Sequence, residues 1–442
     1  MMNKIFAFSA LFCALFLSSG TILAQQLLTI DDAIGLGLEN NYGIQLSKNL
    51  TEIAENNHSF GNAGFFPSIN LTSSRSERVE DSEFQAGGEA RSTSGARSSS
   101  TSAAINLDWT LFDGMQMFNT YDRLGVLSDV TNQELRFDME ALVAQISLSY
   151  YNIIRISEQL KILANNIEVS QERIEIEETK LDLGSGSQYD LLQARSDLNA
   201  DRAAYIRETN QLTEAKIVLN ELLSRDPNID FEVTSEININ RGLVHDELYQ
   251  KLVNENTELT IARLQKDISR LEIREIRGER FPEISLNSGY SFNRSQNDGG
   301  FIRFNETTGF SIGLTARVNI FDGFNLNRRV QNAQINQKNA EISYEMQKLR
   351  LESDFAAIYR FYENSIELVD LERDNFENAQ ETLEIALERF RLGTISSLEF
   401  REAQRTFLEA ENRLINVLFD AKVAETNLLQ LSGDLGLLLA GQ

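Results

Sequence analysis

Carboxylates are the reactive groups this chain holds in quantity. It carries 66 Asp and Glu against 41 Lys and Arg, a formal charge of −25. Asp190, Glu399 and Glu402 stand at the starts of expected helices. There a negative side chain offsets the helix dipole by a few tenths to about 1 kcal/mol. The run Glu172-Arg173-Ile174-Glu175-Ile176-Glu177-Glu178 reads as a solvated helix face rather than a metal site. His58 and His245 are the only histidines. Neither has partners at metal-ligand spacing, and both read as helix-surface residues. No P-loop, zinc motif or Gly-rich dinucleotide turn occurs. No catalytic set, cofactor or metal is therefore expected, and any energy must come from a partner. A chain this acidic is a poor ligand for nucleic acid.

The elements that must position these carboxylates come in two copies. The turn Leu111-Phe112-Asp113-Gly114 recurs as Ile320-Phe321-Asp322-Gly323, and Leu183-Gly184 with Ala194 recurs as Leu392-Gly393 with Ala403, at a constant offset of 209 residues. A repeat of this length is a duplicated architectural unit rather than a short-period solenoid. The expected division is a signal segment at 1–24, a first repeat at 25–242 and a second at 243–442. The first holds a helix, a hairpin at 65–112, helices at 115–223 and an irregular equatorial segment at 224–242. The second holds a helix, a hairpin at 281–321, helices at 324–432 and a tail.

A helix is expected over Thr29–Asn62, opened by the capping-box-like Thr29-Ile30-Asp31-Asp32. In the hairpins the period falls to two. Ile69 and Leu71, then Ile105, Leu107, Trp109 and Leu111, alternate with polar residues. In the second copy Ile284, Leu286, Tyr290 and Phe292, and then Phe310, Ile312, Leu314, Val318 and Ile320, do the same. Between the strands, Ser73–Ser102 and about Arg294–Thr308 lack apolar periodicity and read as long polar loops. After each FDG turn a long helix is expected, Met115–Leu181 and Phe324–Phe390, each roughly 100 Å at 1.5 Å per residue. Met139, Ile146, Ile153, Leu160, Ile167, Ile174 and Leu181 recur every seven residues. So do Phe355, Tyr362, Val369, Phe376, Leu383 and Phe390. Such heptads predict coiled-coil packing. Helices about half as long, Asp190–Leu223, Leu243–Arg277 and Glu399–Ser432, complete the copies.

The N-terminus has Lys4, an apolar run from Ile5 to Leu17, and small residues before Ala24-Gln25. This reads as a secretory signal, the run being short for a membrane anchor. Cys13, the only cysteine, lies inside it, so the mature chain needs no disulfide. On an exported chain, hairpins with one apolar and one polar face suggest a transmembrane β-barrel. A soluble sheet packed on a core is the lesser alternative that alternation alone leaves open, since a two-sided-wet sheet would not need Trp109, Phe292 and Phe310 exposed together. Four strands cannot close around a lumen, and open edges are not tolerated in lipid. Strands that span a membrane therefore require several copies of the chain.

The order and doubling of these motifs resemble the TolC-like outer membrane efflux proteins over nearly the whole mature chain. The carriers are Leu28-Thr29-Ile30-Asp31-Asp32-Ala33 with Glu39-Asn40-Asn41, the pair Phe66-Pro67-Ser68-Ile69 and Phe281-Pro282-Glu283-Ile284, and the doubled FDG and LG turns. The family often has Asn-Pro where this chain has Asn41-Tyr42 and Asn256-Thr257. The resemblance implies a mainly α chain with a small transmembrane β-barrel. A homotrimer would give a twelve-stranded barrel in outer membrane lipid and a twelve-helix coiled-coil tunnel in the periplasm. It implies a passive, non-enzymatic exit duct for efflux or secretion, joined through a periplasmic adaptor (membrane fusion) protein to an inner-membrane transporter. Leu183, Gly184, Ser185, Leu392, Gly393 and Thr394 would form the periplasmic tip that meets the adaptor. Asp190, Glu399 and Glu402 would ring a cation-favouring gate, and Asp108 and Arg317 would line the barrel lumen. The Tyr and Arg that latch some members shut are replaced here by Phe390 and Ile395. An exported coiled-coil scaffold or adhesin with a soluble β cap is the alternative.

Overall fold

The computed structural model describes residues 26–434 except 87–88, 235 and 300–301. The signal segment with Lys4 and Cys13, and the last residues of the expected tail, lie outside the described residues. Two compact units are present: Met1–Ile44, Met139–Asn254 and Ser353–Gln442 form one, and Gln45–Asp138 with Glu255–Glu352 form the other.

In the first unit, β1 (Gln26–Leu28) pairs in parallel with β4 (Phe231–Val233). Thr29 caps α1 (Ile30–Asn40) by accepting from the Asp32 amide at 3.2 Å. The expected heptads form the seam of this unit. Ile146 and Ile153 on α3 (Gln116–Asp182), and Phe355, Tyr362, Val369 and Phe390 on α7 (Asn325–Arg391), are buried. Each such side chain contributes about 1.5–3 kcal/mol. Both helices match their expected bounds within a residue. So do α4 (Gln188–Leu222) and α8 (Ser397–Leu431) within two. Tyr150 Oη donates to the Leu28 carbonyl at 2.9 Å, and Tyr359 Oη donates to the Leu243 carbonyl at 3.3 Å. The tyrosines are 209 residues apart, but the carbonyls are 215 apart. The constant offset therefore holds only from the FDG turns onward. Ahead of the hairpins it is 215, as Pro67 and Pro282 also show, and the first hairpin is six residues longer.

The second unit carries the sheet. β2 (Ser68–Ala86), β3 (Glu89–Phe112), β5 (Glu283–Asn297) and β6 (Phe304–Arg317) pair antiparallel in that order. Most of the two expected polar loops is strand. Arg75 pairs with Thr101 and Arg78 with Ser98, and Ser74 Oγ lies 2.7 Å from Ser102 Oγ. Ladder hydrogen bonds belong to the backbone and need no apolar side chain. A ribbon wet on both faces therefore leaves no hydrophobic period to read.

Each FDG turn enters its long helix through two left-handed residues. These are Gly114 and Met115 (φ 74° and 70°) and Gly323 and Phe324 (φ 69° and 64°). Asp113 Oδ2 accepts from the Met117 amide at 2.7 Å, and Asp322 Oδ2 from that of Leu326 at 2.6 Å. The carboxylates satisfy amide donors that the first helical turn leaves open.

The helix expected over Thr29–Asn62 is broken at Asn41 and ends at Asn57, giving α2 (Tyr42–Asn57). The helix expected from Leu243 likewise divides into α5 (His245–Glu255) and α6 (Thr257–Gly278) at Asn256. The two asparagines adopt nearly the same backbone, φ −60° and ψ 125° at Asn41 and φ −59° and ψ 127° at Asn256. Each caps the helix after it. Asn41 Oδ1 accepts from the Gly43 amide at 2.8 Å, and Asn256 Oδ1 from the Leu259 amide at 2.9 Å. Here the Asn side chain caps the helix that follows the break. This ψ suits a residue before proline, and proline is favoured at the first helical position. Tyr42→Pro, which forgoes one 3.4 Å bond to Ser224 Oγ, should keep the fold and leave stability unchanged or raised by up to about 1 kcal/mol. A lowered denaturation midpoint would contradict this reading of the break.

Candidate functional site

The long helices end on glycine. Gly184 and Gly393 are left-handed at φ 76° and 70°. The Ser185 amide donates to the Lys180 carbonyl and the Thr394 amide to that of Arg389, both at 2.9 Å. These glycine C-caps turn the chain back into α4 and α8. They leave Leu183 77% and Leu392 75% exposed. Two apolar clusters brace the turns from behind. Ile174, Leu191, Ala194 and Leu198 form one, and Ala386, Phe390 and Phe400, packed by Val169 and Ile176 of α3, form the other.

A groove of about 740 Å³ lies between the two turns, lined by Glu172, Glu175, Glu177 and Asp190 together with Lys180 and Arg391. Arg391 Nε donates to Glu172 at 2.7 Å across it. Phe390 is buried and stacked on Phe400 at 4.9 Å. Lys180 Nζ lies 3.6 Å from the Phe390 ring centroid, and partial burial holds its pKa below the ordinary lysine range. The aromatic face still attracts the cation.

The three gate candidates have separate surroundings. Asp190 lines the groove. Glu399 closes a capping box with Ser396, its Oε2 accepting from the Ser396 amide at 2.8 Å. Glu402 pairs with Arg405 at 2.7 Å. Hydrogen bonds from the backbone and side chain of Ser396 hold Glu399 below the usual carboxylate pKa, and Arg405 does the same for Glu402.

Residues that the periodicity did not single out form a buried polar network behind the turns. Arg173 of α3 is 3% exposed. It donates to Ser397 Oγ at 2.9 Å and to Asp197 at 2.8 Å, joining α3, α4 and α8. Asp201 accepts from Ser170 at 2.6 Å and from Arg401 at 3.4 Å. Gln404 Nε2 donates to Asn166 at 2.6 Å and to Ser170 at 3.0 Å. The run Glu172–Glu178 is thus only partly the solvated face expected of it. Arg173 and Glu177, one helical turn apart, point inward. The signal was there in their spacing with Ile174, but charge masked it.

On the sheet, Asp108 and Arg317 are exposed and are not brought together. Asp108 accepts from Asn287 at 2.7 Å, and Asn287 in turn accepts from Thr315 at 3.3 Å. Arg317 stands four residues away along β6, in register with Glu283. His58 rests on Tyr121 with ring centroids 4.3 Å apart, and His245 Nδ1 is 2.9 Å from Asp246.

A mostly helical chain whose second unit carries a four-stranded sheet with an exposed apolar face, and whose helices turn on paired glycine caps, has the fold of outer membrane channels. The Campylobacter jejuni CmeC outer membrane channel superposes with a TM-score of 0.76 at 17% identity, covering 92% of this chain and 85% of that one. The chain belongs to the outer membrane efflux protein family, whose profile matches residues 34–225 and 248–434. It is similar to outer membrane protein TolC of Vibrio cholerae (22% identity over 377 residues, 83% of this chain and 84% of the relative). It is also similar to the cation efflux system protein CusC of Escherichia coli K12 (21% over 402 residues, 89% and 84%). It is an outer membrane protein that serves as an efflux duct.

This geometry has two measurable consequences. Arg173→Ala takes the closest cation from the half-buried Asp197, which keeps Arg401 at 3.7 Å, so the cost falls below the roughly 3–5 kcal/mol of a fully buried pair. Hydrogen exchange should rise in 166–182 and 397–405 and stay unchanged in the strands; uniform protection would show that the network does not hold the turns. Glu411 on α8 is pushed up to about 7 by burial and by nearby Glu158. Its neutral form is the one the fold favours, so stability falls as pH rises from about 4.5 toward 7. Glu411→Gln should flatten that fall in a pH series of denaturation midpoints, and an unaltered slope would contradict the assignment.

Proposed function

We propose that this chain is the exit duct of a tripartite efflux or secretion system, a passive, non-enzymatic homotrimer spanning outer membrane lipid. The observation that carries the proposal is the sheet. Ile69, Leu71, Ile105, Tyr290, Phe310, Ile312 and Leu314 are exposed together on its apolar face, and β2 and β6 are open edges. An apolar face this extensive marks an interaction surface. In lipid, open edges must be closed by other strands. Leu46, Leu50 and Ile53 on α2, and Ile335, Ile342, Met346 and Leu349 on α7, are exposed stripes at helical spacing. They suit packing against further copies of the same chain.

On this reading, each chain contributes two repeats, 25–242 and 243–442. Three copies supply the twelve strands and the helical tunnel. Leu183, Gly184 and Ser185 with Leu392, Gly393 and Thr394 dock a periplasmic adaptor, and an inner-membrane transporter supplies the energy. Asp108 and Arg317 line the lumen. Asp190, Glu399 and Glu402 form acidic rings at the narrow end, where carboxylates favour cations. Leu183→Asp with Leu392→Asp should abolish export in cells while a heat-modifiable oligomer persists in the outer-membrane fraction. Loss of the oligomer, or export at the parental rate, would count against adaptor docking at the turns. Glu399→Gln with Glu402→Gln should lower the cation-to-anion permeability ratio severalfold in single-channel recordings, and an unchanged ratio would remove these residues from the gate.

A further inference from the structure

One row of the sheet stands where two kinds of surface meet. Residues paired across neighbouring strands share a face, and each strand returns to that face every second residue. Leu71, Ile105, Tyr290 and Phe310 form one row across the four strands, and all four are exposed. On the same face, four positions farther from the FDG turns, the row is Arg75, Thr101, Arg294 and Glu306. Thr101 therefore has an arginine directly opposite it on each side. We infer that Arg75, Thr101 and Arg294 bind the phosphate of a lipid headgroup whose acyl chains lie along the apolar face below. The inference rests on the reading that this face meets outer membrane lipid. It needs no second chain, because every residue of the site is on β2, β3 or β5.

The depth of the row suits a headgroup. Ile284 is the first apolar residue of β5, and Arg294 stands ten positions beyond it. Ten residues of strand cover roughly 34 Å, or about 26 Å of depth at a tilt near 40°. The apolar band of an outer membrane barrel is about 25 Å tall. The arginines thus fall at the rim of the band, on the side away from the long helices. The row between, Ser73, Ala103, Phe292 and Thr308, places two small side chains beneath Arg75 and Thr101. They leave a shallow passage for an acyl chain from Thr101 down to Ile105.

The local carboxylates do not use up the arginines. Arg75 Nη2 lies 2.9 Å from Glu77, and Arg294 Nε lies 4.0 Å from Glu306, with the Arg294 guanidinium 5.2 Å from the Phe304 ring centroid. Both pairs are solvent-exposed, and exposed pairs are weak. A guanidinium has several donors in a fixed fork, so one carboxylate contact leaves others for the planar, bidentate bonds that phosphate accepts. Strands flanking β3 are roughly 10 Å apart, so both forks can reach one phosphate above Thr101. The Thr101 hydroxyl has no hydrogen-bond partner among the described residues and can donate to the same group.

The site is tested by native mass spectrometry of the purified, delipidated oligomer titrated with dioleoylphosphatidic acid. Saturation at one lipid per chain is expected. Arg75→Gln with Arg294→Gln should weaken binding about tenfold or more, and Thr101→Val roughly threefold, since charge-assisted bonds are the stronger ones. Dioleoylglycerol, which lacks the phosphate, should bind the parental protein as weakly as phosphatidic acid binds the arginine variant. Glu77→Gln with Glu306→Gln should tighten binding by freeing both forks. The same spectra report whether each variant assembles. Unchanged affinity in an assembled arginine variant, or equal binding of dioleoylglycerol, overturns the site. Inorganic phosphate at the concentration of the lipid should leave the lipid bound. If phosphate displaces it, the site takes the free anion and the lipid assignment is overturned. Flotation of the parental protein with phosphatidylglycerol vesicles separates the two readings. Failure to float overturns the membrane reading and this inference with it, whereas flotation with lipid retention that ignores the arginines overturns this inference alone.

Discussion

A backbone amide or carbonyl has to be paired wherever water is absent, and this constraint organises the whole molecule. The four-stranded sheet satisfies it along β3 and β5 but leaves the outer rows of β2 and β6 open. It also holds its apolar side chains over no core of its own. A soluble protein would cover such a face with helices. Here the helices continue from the ends of the strands through the FDG turns. On the proposed reading the apolar face meets lipid and the edges meet other chains. Without this incomplete sheet, neither the duplication nor the long helices would call for an assembly.

At the far ends of the long helices a different balance holds. The glycine caps set the path of the chain, two small apolar clusters brace it, and Arg173 with Asp197, Asp201 and Arg401 ties three helices together from inside. Burying charge is costly unless it is paired, and buried Arg173 has both Ser397 and Asp197 as partners. Phe390 cannot donate the hydrogen bond that a tyrosine would supply at its position. Its ring is instead stacked on Phe400 beneath the Lys180 cation. The exposed carboxylates Glu399 and Glu402 are held ionised by local hydrogen bonds.

How much of this was legible in the sequence varied with the kind of interaction. The long helices, the glycine caps and the capped FDG turns arise from period, glycine and carboxylate at fixed spacing, and they could be read to within a residue or two. The outer halves of the hairpins could not. Ser74 and Ser102, or Arg78 and Ser98, pair through backbone groups that every residue has, and no side-chain period announces them. The helix breaks at Asn41 and Asn256 were not read, since both helices were expected unbroken and the missing Asn-Pro removed the usual breaking signal. Only their shared ψ showed that asparagine alone sets the break. Arg173 was hidden because a charged residue on a helix is ordinarily solvated. Its burial depends on Ser397 and Asp197, which lie far away in the chain.

The most direct test of the central claim is planar-bilayer conductance of the detergent-purified mature protein, with its oligomeric mass taken from the same sample. Discrete, cation-selective single-channel steps from a species of three chains are the result this account predicts. A water-soluble species that gives no conductance would contradict it and would favour an exported coiled-coil scaffold instead.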